Sequence, residues 1–158
     1  MRDEAAAVLG VGVLGVGVLV LAGCGGGSGS DGSPPAELVG TYTTTLEADD
    51  IPANAPPELE AGPWKLVIAT TGAPDDGASL AIDDPAKGNL EAPGLSVDGD
   101  TLTLEQEECA AGGTTAFYDN QYGWELTGSN LKLTTLENKC PDHVAETILT
   151  SRPWTKTS

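Results

Sequence analysis

Few side chains in this sequence could support catalysis, and none is accompanied by the partners that catalysis requires. Nucleophilic catalysis needs a nucleophile, a base within hydrogen-bonding distance and a group that orients the base. His143 is the single histidine of the 158 residues, and the sequence contains no Gly-x-Ser-x-Gly motif. The surrounding Cys140-Pro141-Asp142-His143 segment is typical of a surface turn. The sequence therefore predicts a protein that is not an enzyme and has no catalytic residues.

Acidic side chains occur in pairs, beside Gly and Pro, in segments that predict turns. Aspartate favours such turns because its side chain bonds nearby backbone groups. A calcium site needs about six to eight converging oxygens, and no segment has the spacing of an EF-hand loop. We therefore expect no metal and no cofactor. These residues form four pairs and one group of three: Asp49-Asp50, Asp75-Asp76, Asp83-Asp84, Asp98 with Asp100, and Glu105 with Glu107 and Glu108.

The segment Leu21-Ala22-Gly23-Cys24 closes an apolar run over residues 5–22 that contains no charge. It resembles the lipobox of bacterial lipoproteins. This resemblance implies that residues 1–23 are a signal peptide and that Cys24 is diacylated and becomes the new N-terminus. Two acyl chains hold a protein stably at a membrane. The expected location is the cell membrane, with the protein lipid-anchored and facing the extracytoplasmic side.

Two other interpretations of the same segment stay open, an uncleaved membrane-spanning helix and an ordinary signal peptide. The run is slightly shorter than the approximately 20 apolar residues that a spanning helix needs. Its glycines also lower helix propensity by about 1 kcal/mol each relative to alanine. A signal peptide normally begins with a basic region, whereas Arg2 is offset here by Asp3 and Glu4.

Cys109 and Cys140 are the two cysteines that remain if Cys24 is lipidated. An even number of cysteines in an exported domain indicates a disulfide. A redox-active or metal-binding pair is the alternative, but the wide spacing, the absence of a Cys-x-x-Cys motif and the single histidine disfavour it. The predicted bridge closes a loop of about 30 residues, which should stabilise the fold by about 3–4 kcal/mol.

The charge of the chain excludes one class of partner. The sequence has 7 basic and 24 acidic residues, a formal net charge of −17 at pH 7. Proteins that bind nucleic acids neutralise phosphates with Lys and Arg, so we expect no nucleic-acid partner. Acidic surfaces also serve solubility, so the charge alone indicates no cationic ligand.

Three parts of the chain are predicted. Residues 1–23 form the signal peptide, and residues 24–35, rich in Gly, Ser and Pro, form a flexible tether. Residues 36–158 have a length that suits one domain with a single core.

Short strands separated by turns dominate the third part. Asp98-Gly99 lies between two alternating runs and predicts a β-hairpin. A short helix over 142–147, with Pro141 at its start, precedes the last strand. The fold class is therefore all-β, a closed or nearly closed antiparallel barrel of about eight strands, with a sandwich as the alternative. The predicted strands are 38–47, 64–71, 79–83, 90 or 95 to 97, 101–105, 117–127, 131–136 and 149–156.

Several short motifs resemble those of a known superfamily. Gly40-Thr41-Tyr42 and Gly62-Pro63-Trp64 are similar to the Gly-x-Trp opening of lipocalins and related calycin barrels. Arg152 and Trp154 resemble the closing arginine region that covers the bottom of such barrels. Small bacterial lipocalin-like lipoproteins are similar in combining Cys109, Tyr122-Gly123-Trp124, Cys140-Pro141 and Arg152-Pro153-Trp154.

This resemblance implies a monomeric lipocalin-like barrel that holds a small hydrophobic or amphipathic ligand. Tyr42, Trp64, Tyr122 and Trp124 are then the candidate ligand-binding residues, and Arg152 and Trp154 are the barrel-closing residues. An alternative is a barrel whose interior is filled by its own side chains and that serves as a structural or protein-interaction module of the cell envelope. Under either interpretation the protein contacts the membrane through its lipid anchor.

Overall fold

The computed structural model describes residues 32–57, 59–73, 77–84, 87–91, 93–111 and 113–158. Cys24, the predicted signal peptide, most of the predicted tether and the Asp75-Asp76 pair lie outside these residues. Within them, a 3-10 turn over Ala48–Asp50 follows the first strand. The elements are β1 (Gly40–Leu46), β2 (Gly62–Ala69), β3 (Ser79–Asp84), β4 (Gly88–Glu91), β5 (Gly94–Asp98), β6 (Thr101–Ala111), β7 (Thr114–Thr127), β8 (Asn130–Glu137), α1 (Val144–Thr150) and β9 (Trp154–Lys156).

Eight of the described strands close into an antiparallel barrel. The hydrogen-bonded order around the barrel is β2, β1, β9, β8, β7, β6, β5 and β3, and β3 pairs back with β2. The remaining strand, β4, pairs with β3. Closure gives each of these strands a partner on both sides, although β9 pairs with β1 and with β8 at only two positions each. The predicted fold class, with one short helix before the last strand, is therefore confirmed.

The barrel interior is built from alternating apolar side chains. Trp64, Leu66 and Ile68 of β2 are buried, as are Leu102 and Leu104 of β6. Successive side chains of a strand point to opposite faces, so these residues line the inner face as their alternation predicts. Burying a large aliphatic or aromatic side chain contributes about 1.5–3 kcal/mol, which makes the interior the main source of stability.

The hairpin between β5 and β6 forms where the Asp98-Gly99 sequence predicts it. Asp98 pairs with Thr101, which leaves Gly99 and Asp100 as a two-residue turn. Gly99 has φ +58°, a left-handed conformation that glycine adopts without a steric penalty.

The helix and the last strand differ from their predicted extents. α1 begins at Val144 and ends at Thr150, after His143 in a left-handed conformation with φ 54°. Leu149, predicted as the start of the last strand, lies in the helix, and β9 begins only at Trp154. The reason is a helical spacing of apolar residues, because Ala145, Ile148 and Leu149 are all buried on one face of α1.

A bulge in β6 changes which of its side chains face inward. Gln106 has φ 57°, and its backbone N–H donates to Asp119 Oδ1 at 3.0 Å. The register between β6 and β7 shifts at this point, between Leu104 and Glu107. A bulge inserts one extra residue and so inverts the alternation beyond it. Glu107 and Cys109 therefore face inward, whereas simple alternation from Leu104 places Gln106 and Glu108 there.

The end of the predicted tether lies against the barrel. The carbonyl oxygen of Gly32 accepts a hydrogen bond from the backbone N–H of Val97 at 2.8 Å, and Pro34 is buried. In the part of the chain that the structure describes, no helix is long and apolar enough to cross a membrane.

Candidate functional site

Tyr42 and Trp64, two of the candidate ligand-binding residues, are part of the barrel core. Tyr42 is fully buried, and its hydroxyl donates to the carbonyl oxygen of Leu38 at 2.7 Å. Trp64 is 2% exposed, and its Nε1–H donates to the carbonyl oxygen of Glu60 at 3.1 Å. Both rings belong to the apolar core, and the Lys156 ammonium also lies over the Tyr42 ring, 5.5 Å from its centre. The cited polar atom of each residue is satisfied within the chain.

Tyr122 and Trp124, the other two candidates, lie on β7 but in different environments. Tyr122 is fully buried in the same core. Trp124 is half-buried and packs against the core from the side of the β5–β6 turn, where its Nε1–H donates to the carbonyl oxygen of Gly99 at 3.2 Å. The structure thus brings Tyr42, Trp64 and Tyr122 together as packed core residues and places Trp124 at the periphery.

Of the two predicted barrel-closing residues, Arg152 lies in the connection between α1 and β9, and Trp154 is the first residue of β9. Trp154 is fully buried, and its Nε1–H donates to the carbonyl oxygen of Leu149 at 3.0 Å, which ties β9 to the end of the helix. Arg152 forms an ion pair with Asp50 in the 3-10 turn after β1. The hydrogen bond from Arg152 lowers the pKa of the Asp50 carboxyl. This pair links two distant segments of the chain on the outside of the barrel.

The most unusual chemistry lies at one end of the barrel, in four buried residues that we call the rim cluster: Glu107, Cys109, Asn120 and Cys140. The Cα atoms of Cys109 and Cys140 are 5.4 Å apart, within the range for a disulfide. The structure therefore supports the predicted pairing, which joins β6 to the segment between β8 and α1.

Glu107 is in direct contact with this cysteine pair. Its side chain is 2% exposed, and Oε1 lies 3.4 Å from Cys140 Sγ. Asn120, which is fully buried, donates from Nδ2 to Glu107 Oε2 at 2.7 Å and lies 3.1 Å from Cys140 Sγ. The amide oxygen of Asn120 accepts the backbone N–H of Lys139 at 2.7 Å. The asparagine is thus held in place and directs its amide group at both the carboxyl and the sulfur.

The environment of Glu107 favours its protonated form. Burial raises the pKa of Glu107; the hydrogen bond from Asn120 opposes this increase, whereas the negative charges of Asp142 and Glu146 add to it. The oxygen of Glu107 and the sulfurs of Cys109 and Cys140 lie within 4.8 Å of one another, so these three residues have the spacing to hold a metal ion if the disulfide between the cysteines is reduced.

His143, the single histidine, lies beside the rim cluster but on the surface. Its Nδ1 is 2.7 Å from Glu146 Oε2, and its side chain is 61% exposed. Asn138 Nδ2 donates to the same oxygen of Glu146 at 2.6 Å. Burial alone acts to raise the pKa of Glu146, but the bonds from His143 and Asn138 outweigh it and lower the pKa. These contacts fix the start of α1.

A polar groove of about 550 Å³ lies on the outside of the barrel, where β1, β9 and the α1–β9 connection meet. Thr43 of β1 and Thr155 of β9 are exposed and directly paired across the groove. The threonine hydroxyls and one side chain of each charge, Glu47 and Arg152, can form hydrogen bonds to a polar surface. Two proline rings add apolar contact area. The groove is lined by Thr43, Thr44, Thr45, Glu47, Pro63, Arg152, Pro153 and Thr155.

Glu107 and Asn120 were not predicted as site residues from the sequence. Glu107 is one of three acidic residues in a short segment, which suggests a solvated surface, and only the bulge at Gln106 turns it inward. Asn120 shares the inward face of β7 with Tyr122, and that alternation is the one signal in the sequence that could have identified it.

Comparison of the chain with protein-family models, with curated proteins and with solved structures finds no match in any of the three.

Proposed function

We propose that the protein is a lipid-anchored, extracytoplasmic β-barrel of lipocalin-like type that is not an enzyme and that binds a partner in the cell envelope through its outer surface. The observation that carries this proposal is the packing of the barrel interior. Three of the four aromatic residues that would line a ligand cavity are fully or almost fully buried in one continuous core. An eight-stranded barrel is either just filled by its own side chains or holds one small ligand, and the burial of these rings among aliphatic side chains supports the filled interior.

The polar groove supports an outward-facing role. It provides hydroxyl groups from two adjacent strands and the Arg152 guanidinium, all within reach of one bound surface. The core aromatic rings offer no comparable contact to an external molecule, since Trp64 and Trp154 are at most 2% exposed. An extended polar segment of another envelope protein is the partner that such a groove suits best.

The lipid anchor is supported by the Leu21-Ala22-Gly23-Cys24 sequence, and intact mass spectrometry tests it. The membrane-extracted protein should have the mass of residues 24–158 plus a diacylglyceryl group. A Cys24→Ala variant should lack this mass and accumulate with residues 1–23 attached. A native protein that retains residues 1–23 without acylation would contradict the anchor.

The binding of an apolar ligand in the barrel is the competing function, and tryptophan fluorescence separates the two. A protein that begins at Gly25 retains every described residue. In a Trp124→Phe variant of it, the remaining indoles are those of Trp64 and Trp154, both in the core. Titration with a long-chain fatty acid should cause no saturable change in their emission. A saturable change at one ligand per chain would instead support the carrier function.

The interaction role is tested by photo-crosslinking in intact envelopes. A photoreactive residue at Thr43, in the groove, should yield a discrete crosslinked product. The same residue at Thr134, which is exposed on β8 and outside the groove, is the matched control and should not. Equal labelling from both positions, or none from either, would contradict a role for the groove.

A further inference from the structure

The rim cluster places a carboxyl and an amide beside the two sulfurs, and a purely structural disulfide needs neither group. Glu107, Cys109 and Cys140 are each at most 2% exposed, and their donor atoms lie within 4.8 Å of one another. In the structure the two sulfurs are bonded to each other. An ion can therefore bind only after reduction, when the freed thiolates can move apart to the roughly 3.8 Å that Zn–S distances of about 2.3 Å impose in a tetrahedral site. The three side chains are therefore close enough to bind a single ion.

Asn120 provides the outer support that such a site needs. Its Nδ2 lies 2.7 Å from Glu107 Oε2 and 3.1 Å from Cys140 Sγ, and its Oδ1 accepts the Lys139 N–H. Amide hydrogen bonds to ligand atoms orient those ligands and tune their basicity, and metal sites depend on them nearly as much as on the ligands. Asn120 is fully buried and contacts two of the three proposed metal ligands, Glu107 and Cys140, so it is placed to orient them.

The charge around the cluster favours a cation. Asp142 and Glu146 add negative potential at Glu107. Among the described residues, no salt bridge to Glu107 is present, and Lys139, the neighbour of Cys140, pairs with Glu137. A divalent ion would displace the proton that burial favours on Glu107 and would provide the cationic partner that a buried carboxylate needs.

We propose that the rim cluster, in its dithiol state, is a Zn²⁺ site with Glu107, Cys109 and Cys140 as ligands. Reduction of the Cys109–Cys140 bond takes two electrons and two protons from an external dithiol, which is itself oxidised to a disulfide. Zn²⁺ then displaces the two thiol protons, and any proton on Glu107, into solvent. Two thiolates and one carboxylate leave a fourth position for water, and this donor set matches the preference of zinc for sulfur with nitrogen or oxygen.

The test uses the full chain, reduced with a phosphine, freed of reductant without oxygen and titrated with Co²⁺ as the spectroscopic probe. We expect thiolate-to-cobalt charge transfer and the intense visible bands of a tetrahedral ion, saturating at one Co²⁺ per chain and displaced by Zn²⁺. A Cys109→Ser/Cys140→Ser variant retains Cys24 and so reports any metal bound there. Glu107→Gln should weaken Zn²⁺ binding by at least the ~10- to 100-fold that is typical for loss of an outer-shell partner.

The matched control is Glu108→Gln, the same change at the exposed neighbouring residue, which should bind Zn²⁺ like the unmodified chain. Far-UV circular dichroism monitors folding throughout. The proposal is overturned if the reduced chain binds no more metal than the double-serine variant, or if Glu107→Gln and Glu108→Gln bind equally. A reduced chain that stays unfolded when Zn²⁺ is added would also overturn it.

Discussion

The barrel interior and the rim cluster are both buried, but different forces hold them together. In the interior, Trp64 and Trp154 are surrounded by aliphatic side chains, and each indole N–H is satisfied by a carbonyl of a nearby residue. In the rim cluster, Glu107 and Asn120 contact each other and a sulfur atom through directional polar contacts. The interior is stabilised by removal of apolar area from water, whereas the rim cluster depends on pairing of groups that are costly to bury.

This difference separates the residues that hold the fold from those available for chemistry. The interior residues contribute through close packing, because protein cores are packed as densely as organic crystals. A buried carboxyl is costly unless it is hydrogen-bonded, as Glu107 is by Asn120. Within the buried part of the protein, the rim cluster is therefore the place where reactive groups are available for chemistry.

The largest expected effect is in the interior. Trp154→Ala removes a fully buried ring and the hydrogen bond to Leu149, and should lower the free energy of unfolding by about 3–5 kcal/mol. Thr155→Ala, at the next and exposed position, should change it by less than about 0.5 kcal/mol. Denaturant unfolding followed by circular dichroism measures both. Similar values for the two variants would show that β9 does not anchor the core.

Loss of the cysteine pair should come next. Cys109→Ala/Cys140→Ala removes a cross-link between positions 31 residues apart and should lower the free energy of unfolding by about 3–4 kcal/mol in the chain-entropy model. The barrel itself should persist, because its core residues are untouched. The same denaturation experiment tests this prediction, with the oxidised protein as reference. An unchanged midpoint would mean that the pair is not bonded in the native protein.

Within the rim cluster, Asn120→Ala should cost about 1–3 kcal/mol, because Glu107 and the Lys139 N–H each lose a buried hydrogen-bond partner. Asn130→Ala is the matched control, since Asn130 is exposed at the start of β8 and should change stability little. Thermal unfolding of the two variants side by side makes the comparison. Equal melting temperatures would show that the hydrogen bonds of Asn120 do not stabilise the fold.

The smallest effect is the pH dependence that Glu107 adds. Burial raises the pKa of Glu107 in the folded protein above its ordinary value of 4.5. The folded state therefore binds this proton more tightly than the unfolded state does. Its contribution to stability is fully present below the unfolded pKa and is lost as pH rises through the folded pKa.

Glu107→Gln should abolish this loss, and unfolding free energies measured below and above that pH range test it. Asp50→Asn is the opposite control, because the bond from Arg152 lowers the pKa of Asp50 and its contribution is lost as pH falls. Glu107→Gln should therefore change how stability falls as pH rises, and Asp50→Asn should change how it falls as pH decreases. Parallel profiles for the native protein and Glu107→Gln would place Glu107 in contact with water.

The parts of the fold that follow from local pattern were predicted well. The alternation of Trp64, Leu66 and Ile68 identified the inner face of β2, and the Asp98-Gly99 pair identified the β5–β6 turn. The extents of α1 and β9 were predicted less well. The residues next to Leu149 in the sequence favour a strand, whereas its burial against the core places it in the helix. Tertiary packing overrides local preference in such short segments.

What the sequence by itself determined is the all-β class, the strand faces and the cysteine pair, because alternation, turn residues and cysteine number are local or compositional properties. What only the tertiary structure decided is which polar residues are buried. Glu107 faces inward because the bulge at Gln106 inverts the alternation of β6. Asn120 reaches Glu107 because β6 and β7 pair across a hairpin, and Cys140 joins them from beyond β8. Such convergence depends on strand register, which no single segment of the sequence specifies.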